Sequence, residues 1–127
     1  MKAAFASTAL MFLGSPCDAN SFTVQAASGE PKTVYVYRNW DKDCRERGGV
    51  VRVVTKPEYG RLSRERVVAT MKTQGRSLDT HCNGVTIPGL QIQYTSARGF
   101  RGIDRFTLER TLPNGRVDVD SFTMEVH

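Results

Sequence analysis

The chain is poor in the side chains that most often do chemistry. Its 127 residues include two histidines, three cysteines and one tryptophan. His81 stands beside a cysteine and His127 is the last residue; neither accompanies a serine or cysteine in a nucleophile signature. No catalytic set is expected. The one long apolar run, Ala3 to Leu13, is too short for a membrane-spanning helix, which needs about 20 apolar residues. Acidic charge is also in the minority, with 13 Asp and Glu against 18 Lys and Arg. A basic surface favours anionic partners and steers them in, which concerns association and not fold.

What is present suits one small exported domain. The composition is 39% hydrophobic and 24% charged, ordinary for a globular chain and too apolar for a disordered one. Met1-Lys2 is a minimal positive n-region, Ala3 to Leu13 an apolar h-region, and Gly14-Ser15-Pro16 a break. Residues 1–19 therefore read as a signal peptide, with small residues for cleavage at Ala19 or as late as Ala26. A buried N-terminal helix is the rival, but nothing caps it. Pro16 directly before Cys17 argues against a lipid anchor there. Residues 20–32, rich in Ser and Ala, read as a flexible N-terminal segment, and residues 33–127 as the folded domain. Localisation is expected to be periplasmic or secreted.

If Cys17 leaves with the signal, Cys44 and Cys82 remain. An even pair in an exported domain reads as a disulfide. A metal site would need more ligands at close spacing.

The rest of the chain is written in short alternating runs. Thr33 to Tyr37 and Val50 to Thr55 are rich in β-branched and aromatic residues and predict strands. Pro57-Glu58-Tyr59-Gly60 is a turn signal. Arg61 to Met71 is ambiguous, with helical spacing in part, but the turn before it favours a strand. Gln74 to Gly84 is polar and loop-like. Leu90, Ile92 and Tyr94 fall on one face of another strand, and Phe106 and Leu108 on one face of the next. Pro113-Asn114-Gly115 is a hairpin turn. In the closing strand Val117 and Val119 are odd while Phe122, Met124 and Val126 are even. That change of parity predicts a bulge between Asp120 and Ser121, or a strand that crosses from one sheet to the other. About seven short strands in about 100 residues predict an all-β, immunoglobulin-like sandwich.

The residues from Pro57-Glu58-Tyr59-Gly60, through Gly89-Leu90-Gln91-Ile92-Gln93-Tyr94, to Gly99-Phe100-Arg101-Gly102-Ile103-Asp104-Arg105-Phe106 resemble the bacterial cadherin-like immunoglobulin domains. The resemblance implies the sandwich fold and a role at the cell envelope, and is nearly silent on activity. Members of that family often occur as tandem repeats; here there is one copy.

Within this frame Gly99, Phe100, Gly102 and Asp104 are expected to form a structural turn, the Asp104 carboxylate accepting backbone N–H bonds. Calcium would need six to eight converging oxygens; Asp41 with Asp43, and Asp118 with Asp120, supply pairs but no full loop. No metal and no cofactor are expected. Glu58, Glu65, Glu109 and Glu125 hold the acid–base chemistry of a glycosidase in principle, but nothing in the sequence sets two of them at the required separation. Arg98, Arg101 and Arg105 crowd the loop around Phe100, and Arg61, Arg64 and Arg66 crowd another segment. Arginine forks suit carboxylate, phosphate and sulfate groups. The expected function is a non-enzymatic exported binding or structural module of the envelope. The alternative is a binder of anionic polysaccharide or lipid through Arg98, Arg101 and Arg105, and a small hydrolase or hydrolase inhibitor comes third. The sequence does not identify the partner; an acidic glycan, a lipid headgroup and an envelope protein are the candidates, and nucleic acid is not expected.

Overall fold

A computed structural model describes residues 18–70 and 82–127. Seven strands run in chain order: β1 (Asp18–Ala26), β2 (Lys32–Tyr37), β3 (Val50–Thr55), β4 (Gly60–Thr70), β5 (Thr86–Ser96), β6 (Gly102–Thr111) and β7 (Val117–Val126). They form two sheets, one in the order β1-β7-β6-β3 and the other β2-β5-β4. The protein is an all-β sandwich, as its alternating runs require. The ambiguous segment after Pro57-Glu58-Tyr59-Gly60 is a strand, paired with β5 over eleven residues from Gly60↔Ser96 to Thr70↔Thr86. Most of the signal segment, and residues 74–81 of the expected loop, lie outside the described residues.

The core sits where the inward positions of the two sheets meet. Ile92 and Tyr94 come from β5, Phe106 and Leu108 from β6, and Phe122, Met124 and Val126 from β7. Burying a large apolar side chain stabilises a fold by roughly 1.5–3 kcal/mol, so these positions carry most of the stability. The aromatic rings form a chain: Tyr94 stacks on Phe106, Phe106 on Phe122 and Phe122 on Phe22, with centroids 5.9, 4.8 and 5.1 Å apart.

Phe22 belongs to a segment expected to be flexible, and here the sequence reading is corrected. Residues 18–26 are a strand, running parallel to β7 in unbroken register from Asp18↔Asp118 to Ala26↔Val126. Phe22 and Val24 pack against the core and Ala26 is buried in it. The folded unit therefore begins ahead of residue 33. After β1 the chain turns through Gly29, and β2 begins at Lys32.

β7 also differs from the expected strand. No bulge interrupts it: its pairing with β6 runs without a shift from Gly102↔Val126 to Thr111↔Val117. The even positions face inward throughout, so Asp118 and Asp120 are buried while Val117 and Val119 are not. Parity is set by Phe122, Met124 and Val126, and the two aspartates are carried inside with them. Each finds partners. The Tyr37 hydroxyl donates to Asp120 Oδ2 at 2.7 Å and the Asn20 amide donates to Oδ1 at 3.0 Å. Arg110 and Arg116 donate to Asp118 at 2.9 and 3.1 Å. The Arg110 hydrogen bond, with both cationic charges, holds the Asp118 carboxyl below its ordinary range. Register shifts occur instead in β2, between Thr33 and Tyr35, and in β3, between Val53 and Thr55.

Cys44 and Cys82 are bonded, with Cα atoms 5.4 Å apart. The bridge ties the β2–β3 connection to the chain just ahead of β5, and Cys82 is buried. The β2–β3 connection is itself ordered: Asp41 Oδ1 accepts N–H bonds from Asp43 at 2.8 Å and Arg45 at 3.1 Å. Removing the bridge, as Cys44→Ala with Cys82→Ala, is expected to lower stability by about 3–4 kcal/mol in the chain-entropy account of a loop this long. The check is the denaturant midpoint of the double variant against its parent.

Candidate functional site

One end of the sandwich is built from three connections: residues 27–31, 56–59 and 97–101. Asp104, the third residue of β6, organises the second of them. It is 3% exposed. Its Oδ1 accepts N–H bonds from Glu58 and Arg105, both at 2.9 Å. Its Oδ2 accepts from the Tyr59 N–H at 3.0 Å and from the Tyr94 hydroxyl at 2.8 Å. The carboxylate thus clamps the turn before β4, some 45 residues away in the chain, together with β5 of the other sheet. Burial, then the bond to Asp104, pushes the Tyr94 hydroxyl well above its ordinary pKa, so it remains a donor.

The remaining contacts lock the connections to one another. Ala97 N–H donates to the Tyr59 carbonyl at 2.7 Å, Gly29 N–H to Ser96 Oγ at 2.9 Å, and Gly99 N–H to Ser28 Oγ at 3.0 Å. Gly99 supplies the left-handed conformation this last turn needs, at φ +87°. Phe100 lies flat on Tyr59, with ring centroids 4.4 Å apart and planes within 9°.

Gly60 allows the approach. A Cβ there would stand 2.6 Å from Tyr94 Cε2 and 2.7 Å from the Thr95 carbonyl oxygen. Gly60→Ala is expected to destabilise the domain by about 1–3 kcal/mol through overpacking, read as a lower denaturant midpoint.

Between these connections runs a groove of about 490 Å³ lined by Glu58, Tyr59, Arg61, Ser96 and Arg98 among others. Its residues were only partly visible as a group in the sequence. Arg98, Arg101 and Arg105 are all exposed, and none has an acidic partner among the described residues. Of the three, Arg98 lines the groove; Arg101 and Arg105 do not. Arg61 does, because pairing of β4 with β5 sets Arg61 opposite Thr95. Its sequence neighbours go elsewhere. Arg64 donates to the Val51 carbonyl at 3.4 Å, and Arg66 pairs with Glu46 at 3.1 Å. Tyr59 was legible in the sequence only as part of a turn and Arg61 only as one of a basic cluster; what faces them was not.

At the opposite end, Tyr37, Arg38, Arg66 and Arg110 line a small cavity of about 90 Å³. Arg110 also donates to the Arg38 carbonyl at 3.1 Å and lies 5.6 Å from the Tyr37 ring centroid. The buried Nε–H groups of Arg38 and Arg110 have no acceptor among the described residues.

Among the described residues no group of three or more His, Cys, Asp or Glu is gathered as a metal site. Asp118 and Asp120, one of the two carboxylate pairs weighed for calcium on sequence, are engaged by protein donors.

No family model matches the chain, and no curated protein matches it. It is similar to a solved structure, the solution structure of Amebosin. That match has 16% identity, covers 89% of this chain and 100% of the other, and has a TM-score of 0.45.

Proposed function

We propose that the protein is a non-enzymatic, exported immunoglobulin-like module that binds or scaffolds at the cell envelope. The observation that carries this reading is a division of labour among its charges. The three buried aspartates serve internal hydrogen bonds, whereas Arg98, Arg101 and Arg105 are exposed, on and beside a rigidly tied connection, with no acidic partner among the described residues. The disulfide supports an oxidising compartment, and with it the reading of residues 1–19 as a secretion signal. The likeness to bacterial cadherin-like domains belongs to the same proposal; Tyr94 and Asp104, two residues that carry it, bond to each other. The more specific reading, an anionic envelope polymer as partner, is favoured by the exposure of those three arginines without acidic partners among the described residues.

The test is fractionation of cells producing the full chain, followed by peptide mapping without reduction. A periplasmic or secreted pool with Cys44 linked to Cys82 is expected. A reduced, cytoplasmic pool would overturn the assignment to the envelope.

A further inference from the structure

We infer that the groove between the turn before β4 and the β5–β6 connection is a saccharide site selective for sugars that carry a carboxylate. The inference rests on the reading of the protein as an envelope binder, and it relocates the binding surface. Arg61 and Arg98 hold the acid group, Tyr59 carries the ring, and Arg101 and Arg105 stand outside.

Three observations support it. The first is rigidity. Tyr59 is held through its N–H by Asp104, through its carbonyl by Ala97 and through one ring face by Phe100. It still keeps 44% of its surface exposed. An aromatic surface fixed before a ligand arrives loses little entropy on binding, and its apolar face suits the C–H face of a pyranose. The second is the mixture of charge. Arg61 and Arg98 line the same groove as Glu58. A ligand bearing only phosphate or sulfate has no use for Glu58 and is repelled by it. An acidic sugar uses all three, its carboxylate taken by arginine forks and its hydroxyls donating to the glutamate. The third is size. A groove of about 490 Å³ falls within the range of about 300–1,000 Å³ typical of small-ligand sites and accepts a short stretch of a chain running through it.

A lipid surface is less suited. Tyr59 lies flat against Phe100, and Glu58 would face the anionic headgroups.

The experiment uses the disulfide-bonded full-length domain and titrates it by calorimetry and amide chemical shifts. The probes are a galacturonic acid trisaccharide, the same trisaccharide as its methyl ester, and phosphatidylglycerol vesicles. Saturable binding of the acid trisaccharide is expected, with shifts centred on residues 58–61 and 96–98. The ester should bind about tenfold more weakly or worse, the scale of one lost charge-assisted contact. Arg61→Gln and Arg98→Gln should each weaken the acid about tenfold with unchanged denaturant midpoints, and Tyr59→Leu should weaken acid and ester alike. Equal affinity for acid and ester, or parental affinity in both arginine variants, overturns the site. Binding lost in Arg101→Gln with Arg105→Gln but kept in the groove variants overturns the groove and leaves the anionic-polymer reading standing. Binding to vesicles without binding to the trisaccharide replaces the saccharide with a headgroup. No binding to any probe at low salt removes both readings.

Discussion

Asp104→Ala is expected to lower the stability of the domain by about 3–5 kcal/mol. Four donors lose their acceptor together, three backbone N–H groups and the Tyr94 hydroxyl, and an unsatisfied buried donor costs about 1–3 kcal/mol. The lower end of that sum is the better guide, since the turn relaxes and water reaches part of the gap. Against a total of about 5–15 kcal/mol for a domain, the loss is large. The measurement is the urea midpoint at constant m-value. Tyr94→Phe removes one of the four bonds and should lower stability by about 1 kcal/mol. In a double-mutant cycle the two changes should not add, because the bond removed by the second is already absent in the first. A midpoint unchanged by Asp104→Ala would take this carboxylate out of the structural account.

The second large effect is expected from removing β1. A chain beginning at Ala27 loses Phe22 and Val24 from the core edge, Ala26 from the core, and a nine-residue ladder beside β7. Two large apolar side chains at roughly 1.5–3 kcal/mol each bring the loss near the total stability of a small domain. It also strips Asp120 of its Asn20 donor and opens the β7 edge, an invitation to aggregation. Such a chain is expected to lack a cooperative thermal transition, and a peptide spanning residues 18–26, added in excess, should restore one. A truncated chain that melts like its parent would make β1 an ornament of the sandwich. The same logic separates the two candidate processing points. Cleavage after Ala19 leaves seven of the nine residues of β1, whereas cleavage after Ala26 leaves none. If the chain is exported as proposed, N-terminal sequencing of the mature protein is therefore expected to begin at Asn20.

The strands of this fold were legible where both pleat faces obey the usual rule. Phe106 and Leu108 point in while Arg105 and Glu109 do not, and period two declares itself. β1 escaped because it is an edge strand with small polar residues between its apolar ones; the alternation of Phe22, Val24 and Ala26 was its signal. β7 misled in a different way. A reading that places valine inside and aspartate outside must break the strand at Asp120, while the fold buries both aspartates against Tyr37, Arg110 and Arg116. The disulfide followed from compartment and count. The groove was out of reach, because the β4–β5 register that brings Arg61 to Arg98 is a long-range property. Asp104 was identified as structural, but the turn it holds is the one before β4.

The parallel seating of β1 against β7 has a mechanical consequence. Both strands run the same way, so the start of β1 and the end of β7 lie at opposite ends of a shared ladder. Tension between those two points slides one strand along the other and loads all the ladder bonds at once. Antiparallel terminal strands joined at a common end would peel apart one bond at a time. A domain seated this way between a tether and a load resists extension through its first and last strands, with the aromatic pair Phe22 and Phe122 stacked across the seam that shears.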